Sequence, residues 1–127
     1  MFMDVWRRAG EYRHTERNIG IEPYRIAVEV RLLLDDAKFW IKNETHGPIE
    51  IAIRLHHRLV FVHPFPNGNG RHSRLMADLL AARLGHSSFS WGRSNLIEVG
   101  EARERYISAL RAADHNDIEP LIDFALS

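Results

Sequence analysis

The sequence predicts an almost all-helical single domain, and three observations carry that prediction. The chain is 127 residues long and 45% hydrophobic, which suits one domain around one core. Apolar residues recur at i, i+3 and i+4 along several stretches. Gly and Pro fall at the joints between those stretches, at Gly10, Pro48, Pro64 and Gly85.

Residues 1–10 read as the end of a helix closed by Gly10, with Phe2 and Trp6 as core side chains at the chain's edge. Residues 11–25 lack helical periodicity, contain Gly20 and Pro23, and predict a loop or small hairpin that is polar and exposed. From Ile26 the pattern is helical to about Asn43, with Ile26, Val30, Leu33, Leu34, Ala37 and Ile41 inward. Pro48 suits the first turn of a second helix, over 49–62. That helix is apolar on nearly every side and so should be central and buried. Residues 64–69 form a loop. A third helix runs over 70–84, with Leu75, Met76, Leu79 and Leu80 inward and Gly85 as its stop. A Ser-rich connector and an irregular stretch follow. A fourth helix spans 101–113, with Tyr106, Ile107 and Leu110 inward, and Asp117 is the expected N-cap of the last.

Seventeen basic residues balance seventeen acidic ones. Zero formal charge speaks against a general nucleic-acid or membrane-surface binder. The absence of Cys excludes disulfide frameworks and thiolate zinc sites and fits the cytoplasm. No apolar run is long enough to span a bilayer, and the segment from Met1 to Trp6 does not read as a signal peptide.

The chemistry is concentrated between the second and third helices, in His63-Pro64-Phe65-Pro66-Asn67-Gly68-Asn69-Gly70-Arg71-His72-Ser73-Arg74. Gly68 and Gly70 allow successive amides to point into one concavity. The following helix adds free N–H groups and the positive end of its dipole. Arg71 and Arg74 project from one face and suit bidentate phosphate binding. His63, at the rim, can take a proton from an incoming hydroxyl near neutral pH. These features describe a polyphosphate cradle beside a base. It is not a Walker A loop, because no Gly-Lys-Ser/Thr follows the glycines. The plainer alternative is an ordinary turn, with Arg74 paired to Asp78 one helical turn on.

The twelve-residue segment resembles the signature of the Fic (filamentation induced by cAMP)/Doc family, His-x-Phe-x-Asp/Glu-Gly-Asn-Gly-Arg-x-x-Arg. The likeness extends over essentially the whole chain and is nearest to the Fic-like mobile mystery protein B group of bacterial mobile elements. The resemblance implies a Fic-fold helical bundle with a small β-hairpin flap over about 11–25, and a family helix missing at the N-terminus. It implies transfer of AMP from ATP to a Ser, Thr or Tyr hydroxyl of a target protein, with Mg²⁺ or Mn²⁺. His63 would be the base, and Phe65 would anchor the loop. Gly68, Asn69, Gly70, Arg71 and Arg74 would hold the phosphates. Thr15, Glu16, Arg17, Asn18, Ile19 and Gly20, within the flap, would align the target. The expected setting is the bacterial cytoplasm, as a toxin or regulator, with an antitoxin or inhibitory-helix partner and an oligomer both open.

The family's acidic residue is Asn67 here, a neutral and weaker ligand for a hard cation. Asn67 leaves open an active but modified enzyme or a nucleotide-binding module without transfer. Phosphotransfer of the Doc type is a further alternative, although Doc sequences have Lys in place of Gly70. The stretch from Ser94 to Glu98 begins like the family's inhibitory motif but continues with Val99, so it reads as a chance match. Convergence of His56, His63 and His72 on a metal is the lesser expectation; His56 reads as a satisfied core residue.

Overall fold

The computed structural model describes residues 23–62, 69–93 and 98–127. Five helices carry most of them: α1 (Ile26–Asn43), α2 (Pro48–Val62), α3 (Asn69–Arg83), α4 (Val99–Asp114) and α5 (Glu119–Leu126). Among the described residues there is no strand. Most of the expected hairpin, 11–22, lies outside the described residues, as does the helix expected at 1–10. The last three residues of the hairpin segment, Pro23–Arg25, form a short 3-10 turn into α1.

α2 is the hub, packed against α1, α3 and α5. Its sequence explains the position, because Ile51, Ala52, Ile53, Leu55, His56, Leu59 and Val62 are all buried and wrap most of its circumference. The main core joins Ala52 and Ile53 of α2 to Ala77 and Ala81 of α3, Ala109 and Ala113 of α4, and Leu121 and Ala125 of α5. A second cluster sets Leu33 of α1 against Leu55 and Leu59, flanked by Met76 and Leu80.

The inward face of α3 departs from expectation. Its most enclosed apolar residues are Ala77 and Ala81, while Leu79 is 38% exposed. Small side chains let the α2 and α3 backbones approach closely, so the larger Met76 and Leu80 are pushed to the shoulder of the contact. On α1, Leu34 and Ile41 are also partly exposed, and the buried stripe narrows to Ile26, Leu33 and Ala37. Among the described residues α1 packs chiefly against α2, along a thin seam.

The helix ends follow local chemistry. Glu44 takes a left-handed conformation and returns its N–H to Trp40 O, closing α1. Gly85, at φ +90°, lets the His86 N–H reach Ala81 O at 2.8 Å, closing α3. Asp117 is not the N-cap of the last helix. Its N–H donates to Ala112 O at 3.0 Å, so it belongs to the turn that ends α4. α5 starts after Ile118, with Pro120 in its first turn and no side-chain cap.

Candidate functional site at the start of the third helix

α3 begins at Asn69, one residue ahead of the expected start, so the segment from Asn69 to Arg74 forms its first turn and a half. The first N–H groups of this helix have no intrahelical acceptor. His72 and Ser73 turn into the core, and Ser73 Oγ donates to Gly70 O at 3.0 Å. With those two residues inward, Arg71 faces solvent and Arg74 runs along the flank, half-buried.

Arg74 folds back along its own helix. A Cβ added at Gly70 would sit 3.4 Å from Arg74 Nη1, so the guanidinium lies over the Gly70 backbone. The same guanidinium lies within electrostatic reach of the Tyr106 hydroxyl of α4, and both side chains line one cleft. Tyr106 Oη is in turn 2.7 Å from His56 Nε2 of α2. Three helices thus meet at one polar line inside an otherwise apolar packing.

Burial sets the protonation of this line. Enclosure pushes His56 down to about 4, with the Arg74 and His57 charges acting the same way and the Ser73 backbone opposing. His56 is therefore neutral near pH 7 and able to accept a proton donor. Burial also lowers His72 to about 4. The Tyr106 phenol is raised by burial, partly offset by Arg74.

Arg74 does not pair with Asp78. Asp78 Oδ1 instead accepts the Phe89 N–H at 3.0 Å and the Trp91 indole N–H at 3.2 Å. Both the Ser90 and Trp91 N–H groups donate to Ala125 O at 3.0 Å. The connector after α3 is thereby held between α3 and α5, which lays Trp91 over His56 with ring centroids 4.6 Å apart. Beside this ring pair lies a cleft of about 470 Å³ whose lining includes Arg74, Trp91, Arg103, Tyr106, Ile107 and Phe124.

Of the expected site residues, Gly70, Arg71 and Arg74 stand together at the start of α3, and Asn69 opens that helix. His63, Asn67 and Gly68 lie outside the described residues, as do Phe65 and the flap positions Thr15, Glu16, Arg17, Asn18, Ile19 and Gly20. Ser94 to Ile97 also lie outside, while Glu98 is extended ahead of α4. Among the described residues no three His, Cys, Asp or Glu side chains come together to hold a metal. His56, expected as a satisfied core residue, is bonded through Nε2. Tyr106 was legible only as an inward residue. The readable signal was its hydroxyl, which needs a partner when buried.

Comparison with known proteins fits this frame. The Fic/DOC family matches residues 1–81. The chain belongs to the Fic/DOC family. Curated Fic relatives include the protein adenylyltransferases Fic of Drosophila grimshawi and Drosophila melanogaster, each 30% identical over 118 residues. These alignments cover 91% of this chain but 23% of the relatives, so the chain spans about a quarter of their length. Among solved structures, a Fic-domain-containing signalling protein of Bacteroides thetaiotaomicron superposes with a TM-score of 0.74 at 22% identity, covering 91% of this chain and 49% of that one. Fic-1 of C. elegans superposes with a TM-score of 0.66 at 30% identity, covering 93% of this chain and 33% of that one.

Proposed function

We propose that this chain is the core of a Fic-type protein adenylyltransferase, moving AMP from ATP onto a Ser, Thr or Tyr hydroxyl of a target protein. The carrying observation is Arg74, turned back over Gly70 at the N-terminal turn of α3 rather than paired with Asp78. A guanidinium held at a helix N-terminus is suited to a polyanion. Arg71 supplies a second, solvent-facing guanidinium from the same turn. In this reading Gly68, Asn69 and Gly70 present their amides to the phosphates. His63 accepts the target hydroxyl's proton as its oxygen attacks the α-phosphorus. The bond from that phosphorus to the bridging oxygen breaks, and pyrophosphate leaves.

A divalent cation fits this site only in part. Asn67 offers one neutral amide oxygen, and the described residues add no carboxylate cluster. Mg²⁺ or Mn²⁺ would be held largely by the nucleotide and would supply neutralisation of phosphate charge. Asn67 also motivates a second reading, a nucleotide-binding module without transfer. Gly70 weighs against Doc-type phosphotransfer, because a lysine here would bring a second cation against Arg74.

The test is incubation with α-labelled ATP and Mg²⁺ or Mn²⁺, alone and with lysate protein. Transfer predicts covalent label that disappears in His63→Ala and rises in Asn67→Asp. ATP binding with no label in either the natural chain or Asn67→Asp would favour the module. Arg71→Ala should weaken ATP binding by roughly tenfold or more, as expected for a lost charged hydrogen bond.

A further inference from the structure

We infer that Tyr106 and His56 are positioning residues that hold Arg74 in its phosphate-facing pose. The inference rests on the reading of Arg74 as a phosphate-binding group, but it adds two residues outside the signature. A guanidinium has donors and no acceptor, so in this inference Arg74 turns a donor towards Tyr106 Oη, which lines the same cleft within its electrostatic reach. The phenolic proton is then directed to His56 Nε2, 2.7 Å away. That direction requires the imidazole proton on Nδ1. No side chain or backbone atom among the described residues bonds Nδ1 with good geometry, yet the Ser73 backbone lies near enough to favour a proton there.

The surroundings fix each member. His56 is fully enclosed and has Trp91 packed at a tilt against it, and Trp91 is itself held by Asp78. Tyr106 is pressed against Phe124, with ring centroids 5.4 Å apart. The hydroxyl therefore has little freedom, whereas Arg74, on a long flexible stem, has much. A rigid acceptor behind a flexible cation lowers the ordering cost of binding an anion in front of it. Apolar packing alone would leave the guanidinium free to sweep the cleft.

Two measurements test this. The first needs no ligand: nitrogen-15 NMR of the Arg74 side chain and the His56 ring. The Arg74 Nε–Hε resonance should be protected from exchange in the natural chain and lose that protection in Tyr106→Phe. The His56 ring should titrate as the Nδ1–H tautomer. Unchanged Arg74 protection in Tyr106→Phe overturns the inference, and an Nε2–H tautomer overturns the part assigned to His56. The second compares ATP with AMP. Tyr106→Phe should weaken ATP binding about tenfold and leave AMP unchanged, with no further loss when added to Arg74→Ala. Equal losses for ATP and AMP would mark a merely structural role and sink the inference. His56→Gln, which keeps an acceptor, should retain more ATP affinity than His56→Leu, with melting curves confirming that both are folded. If the natural chain binds no ATP while Arg74 still responds to Tyr106→Phe, the nucleotide reading fails and the positioning stands.

Discussion

Asp78 accepts two N–H groups with one oxygen, from Phe89 and from the Trp91 indole, and so ties the connector to α3. Asp78→Ala leaves both donors without that acceptor inside the packing. It should cost about 2–3 kcal/mol in urea unfolding, whereas Asp78→Asn, which keeps an acceptor, should cost less. Gly92 is constrained in a different way. Its φ is +80°, and a Cβ there would lie 2.8 Å from Phe124 Cε1. Gly92→Ala adds a backbone penalty to a clash with a packed ring, so a loss of at least about 2 kcal/mol is expected by thermal melting. Neither constraint is visible in the sequence. Asp78 reads there as one more surface carboxylate, because its partners are eleven and thirteen residues away in a connector with no periodic pattern.

At the scale of elements, the α2–α3 seam decides how the motif is presented. Ala52, Ala77 and Ala81 make the close contact, and the motif's Ser73 is likewise fully buried. Ala77→Leu should overpack this seam and cost about 1–3 kcal/mol, with ATP affinity falling as the start of α3 shifts. Leu79→Lys, on the outer flank, should move the urea midpoint by no more than about 0.5 kcal/mol. If the two substitutions were equally damaging, the assignment of the inner face would be wrong. Periodicity places α1 to α4 within a residue or two of where they lie. It misjudges the inner face of α3 because it ranks residues by hydrophobicity, while close helix contact selects for small size. The same limitation hides Tyr106. The spacing marks it as inward, and only the fold brings its hydroxyl to Arg74 and His56.

For the whole molecule, the buried histidines set the response to acid. His56 is held down at about 4 against an ordinary value of 6.5. Between those values the unfolded chain binds a proton that the native fold refuses, so stability falls as pH drops through 6.5 towards 4. For His56 the loss is at most on the order of 3 kcal/mol at the acid end. His72, 9% exposed and also lowered to about 4 by burial, adds to the decline in the same direction. Urea midpoints at pH 7.5, 6 and 5 should decline in that order, and His56→Gln should flatten the decline. A flat profile for the natural chain would mean that the imidazole is hydrated.

The main core has a consequence for where this protein can be divided. The Fic/DOC match ends at residue 81, yet Phe89, Ala109, Ala113, Ile118, Leu121 and Ala125 complete the same apolar cluster from beyond it. A chain trimmed to the matched segment would present Ala52, Ile53 and Ala77 to water and strip the hydroxyl from behind Arg74. The stretch that carries the signature and the stretch that can fold are different lengths of the same polypeptide. Moving the signature into another scaffold therefore means transplanting the two C-terminal helices along with the twelve residues that carry it.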